Sequence, residues 1–284
     1  MINQMHRRVS AGTAGGFDVW TAEAAAPGPR VVILGGVHGD ETQGVLAAGR
    51  LASDDTRLTR GSVDVVPICH EAAFKTDSRT SVIDGGNLAR VFPGDSIGRP
   101  TQQLAHHIYT EVLSGADLLI DLHTSGQGYD MPFIAGYQAD MASTDSLAKQ
   151  AALAFGADLL WRHPGRSEGR TVSVVDQAIY VECSGGGSMS PASVEAYVAG
   201  VQRVLAMMDM VAIAPPDPAR AAIHVTGDGD LDRDMISVRH AGMFVTDLVS
   251  GAKVEAGQLL GMVVTTGGQV LEEIQAPYEA WVMA

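Results

Sequence analysis

At 284 residues the chain is long enough for one large domain, or for a main domain with a smaller one attached, and it can bury a core without covalent staples. Two cysteines, Cys69 and Cys183, are too few for a disulfide framework and fit a reducing cytoplasm; Met1 to Gly16 is polar and lacks the apolar core of a signal peptide, and no run approaches the roughly 18 apolar residues of a membrane span, so a soluble, unexported protein is expected. With 33 acidic against 19 basic residues and a formal net charge of −14, the surface repels phosphate backbones and anionic lipid, so nucleic acid and membranes are not expected partners.

In chain order, Arg30 to Gly35 predicts a strand, Thr42 to Ala52 a helix and Ser62 to Ile68 a second strand. Thr101 to Leu113 carries helical spacing, Asp117 to Leu122 reads as a strand, and Asp145 to Phe155 as a helix. Ala178 to Cys183 predicts a further strand, and Pro191 to Met210 a helix with Ser190 as N-cap and proline at its first position. This alternation predicts an α/β domain with its sheet covered on both faces. The segment Ala214-Pro-Pro-Asp-Pro218 cannot continue a helix, because proline lacks the amide donor and clashes with the preceding turn, so domains are expected over 1–213 and 219–284. From about Ala222 onward, Val, Ile and Leu runs separated by Gly227-Asp-Gly229, Ser250-Gly251 and Gly267-Gly268 predict a small all-β domain.

The stretch Val31-Val-Ile-Leu-Gly-Gly-Val-His-Gly-Asp-Glu41 runs a buried strand into a glycine-rich turn that ends on a His and a Glu three residues apart. Open α/β sheets place ligands at the carboxyl ends of their strands, so His38 and Glu41 are candidates to converge on one ion, although His-x-x-Glu alone is a weak signal. A second strand, Asp117-Leu-Leu-Ile-Asp-Leu-His-Thr-Ser-Gly126, also ends on a histidine, which makes His123 the natural third ligand. Two imidazoles and one carboxylate suit zinc and leave a position for water, the catalytic arrangement. Asp121 shares the strand face of His123 and can accept a hydrogen bond from a ligand imidazole. In Ala178-Ile-Tyr-Val-Glu-Cys-Ser-Gly-Gly-Gly187, a lone carboxylate, Glu182, stands at the end of an apolar strand, where it could take a proton from water and hand it to a leaving amine.

Four ordered segments carry a resemblance: Gly36-Val-His-Gly-Asp-Glu41, Asn87-Leu-Ala-Arg-Val-Phe-Pro-Gly94, Asp121-Leu-His123 and Val181-Glu182 with the glycines after it. Together they resemble the succinylglutamate desuccinylase/aspartoacylase family, which belongs with the zinc carboxypeptidases. The resemblance implies a zinc-carboxypeptidase-like mixed sheet flanked by helices, with a smaller all-β C-terminal domain. It implies one zinc ion per chain on His38, Glu41 and His123, with Glu182 catalytic. The family's Asn-Leu-Asn-Arg segment grips a substrate carboxylate; here it reads Asn87-Leu-Ala-Arg90, so Asn87 and Arg90 are expected at the substrate while Ala89 removes one hydrogen bond. Arg79 is the counterpart of the arginine that assists the oxyanion in relatives, at a longer spacing. Within the cationic loop Trp161-Arg-His-Pro-Gly-Arg-Ser-Glu-Gly-Arg170, Arg162, Arg166 and Arg170 are substrate-binding candidates, with Arg170 chosen among them. His70, His106, His107, His163, His224 and His240 fit no ligand spacing. The C-terminal part, with Gly251 to Gly261 and Ile274-Gln-Ala-Pro277, resembles the family's biotinyl/lipoyl-type β domain but has no lysine at the tip for such a cofactor.

The expected activity is therefore a cytoplasmic zinc amidohydrolase that deacylates a small N-acylated amino acid or related amine, with a homo-oligomer left open. The alternatives are a carboxypeptidase-like peptidase, which Ala89 disfavours, and a catalytically silent zinc-binding module, which has no use for Glu182.

Overall fold

The computed structural model describes residues 3–12, 15–54, 57–139, 145–185, 189–212, 222–227 and 235–284. Among these the large sheet is built from β1 (Asn3–Ser10), β2 (Gly16–Glu23), β3 (Arg30–Gly35), β4 (Ser62–Val66), β5 (Leu118–Leu122), β6 (Ile134–Gln138), β7 (Leu159–His163), β8 (Ala178–Glu182) and β9 (Ile223–Thr226). Their order is β1-β2-β4-β3-β5-β8-β6-β7-β9. The middle strands β4, β3, β5 and β8 are parallel, whereas β6 runs antiparallel to β8. Because β3 has β4 on one side and β5 on the other, the chain reverses direction of winding there, and a crevice opens at the carboxyl ends of these strands.

The period of two along each strand divides the core. Val31, Ile33, Leu118, Ile120, Ile179 and Val181 face one side, where α1 (Thr42–Ala52), α4 (Leu147–Phe155) and α5 (Pro191–Met207) cover them. Val32, Leu34, Leu119 and Ala178 face the other side, against α3 (Pro100–Ile108) and the turn after it. A short helix, α2 (Glu71–Phe74), packs beside the turn that follows β3. Helix α1 spans the residues read from the sequence. The expected Thr101 to Leu113 helix begins at Pro100 and widens into a π-helical turn over Tyr109–Leu113, and the helix from Pro191 ends at Met207, with Met208 as its cap and Asp209 left-handed (φ 56°).

The proline-rich segment Ala214 to Pro218, on which the expected boundary rests, lies outside the described residues, as do Asp228, Gly229, Gly186 and Gly187. One strand departs from the expected all-β grouping: β9 extends the large sheet in parallel beside β7, because the edge of β7 offers its backbone and Ile223 N–H donates to the Asp158 carbonyl at 2.8 Å. The remaining strands follow the expectation. β10 (Met243–Val245), β12 (Leu259–Val264) and β13 (Val270–Gln275) form one antiparallel sheet, and β11 (Lys253–Val254) pairs with β14 (Ala280–Trp281). Trp281 and Met283 pack on Met131, Ile134 and Leu159, and the Ser250 hydroxyl donates to Asp130 at 3.0 Å. The C-terminal part thus lies against the β6–β7 part of the second sheet face. Among the described residues no helix is long and apolar enough to cross a membrane.

Candidate active site

The carboxyl ends of β3, β5 and β8 each deliver one element of the site. After β3 the chain turns sharply through Gly36 (φ 59°), and Gly39 approaches α2 so closely that a Cβ there would lie 2.1 Å from the Ala73 carbonyl carbon. This turn swings His38 inward and sets Glu41 directly before α1, so both face His123 at the end of β5. His38 Nδ1 lies 2.6 Å from Glu41 Oε1, and His123 Nδ1 lies 2.7 Å from Glu41 Oε2. All three side chains are buried, and each offers a donor atom within 4.8 Å of the others, a group that could hold a metal ion.

The outward faces of the two imidazoles are also engaged. His38 Nε2 meets Asn87 Oδ1 at 3.0 Å, and His123 Nε2 meets Asp121 Oδ2 at 3.0 Å. Oxygen partners behind both Nε2 atoms fix the two rings with their Nδ1 atoms facing inward, toward Glu41. The Thr124 amide donates to Glu41 Oε2 at 3.0 Å, and the hydroxyl of buried Tyr197 donates to the His123 carbonyl at 2.7 Å.

Charge is balanced closely here. Burial works to raise the Glu41 carboxyl, but His38 and His123 hold it well below the usual range, so it is an anion. Burial works to lower His123, yet Asp121 and Glu41 hold it well above the ordinary histidine value. At the end of β8, Glu182 is pushed up to about 8, first by burial and then by the charge of Glu41, and its buried Oε2 has no hydrogen-bond partner. Asp121 Oδ1 is also buried without one. Arg79 reaches in from the other side, with Nη1 3.2 Å from Glu41 Oε1 and 3.3 Å from His38 Nδ1.

His38, His123, Glu182, Arg79, Arg90 and Arg170 line one cavity of about 910 Å³. Arg170 comes beside Arg90 because Gly169 (φ 80°) pairs with Phe92, so close that a Cβ there would sit 2.3 Å from the Arg90 carbonyl oxygen. Asn87, expected at the substrate, has its Oδ1 against His38 Nε2 and the Ala89 amide, each at 3.0 Å. Arg162 is exposed, on the strand face opposite its neighbours Trp161 and His163, and Arg166 pairs with Asp176 at 3.0 Å on the surface. Tyr180 and Trp161 line the cavity and were not singled out by the sequence reading. The signal for Tyr180 was present, since alternation along Ala178-Ile-Tyr-Val-Glu182 puts it on the face of Glu182.

Residues 27–208 match the family model described as the succinylglutamate desuccinylase/aspartoacylase catalytic domain. The N-alpha-acetyl-L-2,4-diaminobutyric acid deacetylase of Halomonas elongata is 29% identical over 252 residues, which cover 83% of this chain and 70% of that protein. The product-bound structure of the ectoine utilization protein EutE (DoeB) from Ruegeria pomeroyi is similar with a TM-score of 0.83 at 25% identity, covering 99% of this chain and 89% of that one. A succinylglutamate desuccinylase/aspartoacylase from Rhodobacter sphaeroides shares the fold, with a TM-score of 0.83 at 24% identity over 100% of this chain and 89% of that one. The family model runs from just before β3 to the cap of α5 and so takes in every strand end that builds the site: the chain belongs to the succinylglutamate desuccinylase/aspartoacylase family.

Proposed function

We propose that the protein is a zinc-dependent amidohydrolase that cleaves the amide bond of a small N-acylated amino acid or related amine, with one zinc ion on His38, Glu41 and His123. The observation that carries this reading is that a buried His-Glu-His group with its Nδ1 atoms turned inward shares a cavity with the unpartnered Oε2 of Glu182. The donor set fits the ion: two imidazoles oriented from behind and one anionic carboxylate are the ligands of catalytic zinc sites, which keep a further position open. Bound there, zinc would polarise the scissile carbonyl and acidify a water molecule.

The chain's own groups supply the rest. Burial and the charge of Glu41 favour the proton-bearing form of Glu182, and positive charge that offsets Glu41 would favour its carboxylate, so it can accept a proton from water and return it to the leaving amine. Arg79 faces the same cavity and stabilises the negative charge that develops on the carbonyl oxygen. Arg90, with Arg170 beside it, holds an anionic group of the substrate, and Asn87 acts indirectly by fixing the ring of His38. The Halomonas elongata relative, named as a deacetylase of an N-acetylated amino acid, supports an amide as the target. The free, buried thiols Cys69 and Cys183 support the cytoplasm as its compartment.

The test is zinc stoichiometry together with amine release from a panel of N-acyl amino acids, before and after chelation. One zinc per chain and chelator-sensitive release are expected, and Glu182→Gln should retain its zinc while kcat falls by about 10²–10⁴-fold. Turnover that is unaffected by the chelator, or equal in Glu182→Gln, overturns the mechanism.

A further inference from the structure

The cavity reaches the upper end of the range of about 300–1,000 Å³ that holds drug-sized ligands, far more than a small N-acylated amino acid fills, and its two regions differ in chemistry. Three arginines and Glu182 stand at the inner region. Beyond them an aromatic floor continues along the sheet. Tyr180 lies on the same strand face as Glu182, and Gly136 of β6 stands opposite both Tyr180 and Trp161 in the strand register. A Cβ at Gly136 would lie 2.0 Å from Tyr180 Cε1, so the missing side chain is what allows the tyrosine ring to lie across β6. The Tyr180 hydroxyl meets His163 Nε2 at 2.7 Å, and Trp161 stacks on His163 with ring centroids 4.7 Å apart at 29°. The Trp161 indole N–H donates to the Gly227 carbonyl at 3.0 Å. With their polar atoms engaged elsewhere, Tyr180 and Trp161 contribute carbon surface to the cavity. Trp281 and Met283 of the C-terminal part join Trp161 in one apolar cluster and line the same cavity.

We propose that the substrate is an amphipathic N-acyl amino acid whose anionic group faces Arg90 and whose apolar substituent, acyl chain or side chain, lies on the Tyr180–Trp161 floor beside Trp281. The pairing of a cationic inner region with an apolar outer one in a single cavity selects a molecule with both characters, and it does so within a chain whose net charge is −14. The proposal rests on the amidohydrolase reading, so its test has one arm that needs no turnover.

In the first arm, kcat/KM of the zinc-loaded full chain is measured for glycine release from N-acetyl-, N-hexanoyl- and N-decanoylglycine, and for N-acetylalanine against N-acetylphenylalanine. In the second, binding of the same compounds to Glu182→Gln is followed by intrinsic fluorescence, to which Trp161 and Trp281 contribute from the cavity wall. Burial of a methylene is worth about fourfold, so a preference of at least about tenfold for the apolar member is expected in one series. The acyl series and the side-chain series distinguish which substituent occupies the floor. Trp281→Ala should reduce that preference about threefold or more; if this variant does not fold, the unmodified chain's series decides. Turnover with no apolar preference in either series overturns the proposal and leaves the amidohydrolase reading standing. No turnover, with saturable binding that favours the apolar compounds, overturns the amidohydrolase reading and supports the apolar site. Neither turnover nor binding overturns both.

Discussion

His123 is fixed at three points: Nδ1 faces Glu41, Nε2 meets Asp121, and its carbonyl accepts the hydroxyl of Tyr197 from α5. Tyr197 is fully buried, so Tyr197→Phe removes one hydroxyl, keeps the ring, and leaves the His123 carbonyl short of a donor. A loss of about 1–2 kcal/mol in urea unfolding is expected, with faster loss of zinc to a competing chelator. Zinc retention equal to the unmodified chain would show that β5 alone holds the ligand. Residues of this kind divide by how they announce themselves. His38, Glu41, His123 and Glu182 were legible as candidates because each polar side chain interrupts an apolar strand or the turn at its end, and the structure brings the first three into one buried group. The contact of Asn87 with His38 was not legible, since it joins residues 49 apart in the chain. The Tyr180–His163 contact was not legible at all, because it crosses β6 and depends on the absent side chain of Gly136.

At the level of elements, the segment that carries Asn87 and Arg90 is anchored to the start of α3 by one carboxylate. Asp84 accepts from the Thr101 amide at 2.9 Å, the Thr101 hydroxyl at 2.5 Å and the Gly86 amide at 3.0 Å. Burial works to raise its pKa, but these hydrogen bonds win and bring it from 3.8 to about 2. A folded-state pKa below the unfolded one means that the contribution is complete above about pH 4 and disappears as pH falls toward 2. Asp84→Asn should therefore be less stable than the parent at pH 7, with the gap in thermal midpoint narrowing between pH 4 and pH 2. A gap that stays constant over that window would remove Asp84 as the anchor. Element identity was readable where periodicity is strong, as in α1 and β3. Strands β6 and β7 escaped because Ile134-Ala-Gly-Tyr-Gln138 and Leu159-Leu-Trp-Arg-His163 do not alternate cleanly in polarity, and pairing with β8 and β9 makes them strands.

For the whole molecule, the all-β character of the C-terminal part was legible from its turns, but its position over the second sheet face was not, since it depends on Trp281, Met283 and Ser250 meeting residues more than a hundred positions earlier. That position completes a cavity whose inner region joins the ends of β3, β5 and β8, so an ion bound there ties together strands that are distant in sequence. A ligand that binds the folded chain and not the unfolded one stabilises it by mass action, about 2.7 kcal/mol at a hundredfold excess over Kd. For a chain of this size that corresponds to a rise of about 5 °C or more in thermal midpoint. Chelation should lower the midpoint by that amount, zinc should restore it, and His38→Ala, which removes one of the three proposed ligands, should abolish most of the zinc-dependent shift. A shift that survives intact in His38→Ala would place the ion elsewhere in the molecule, and no shift in the unmodified chain would remove zinc from the site.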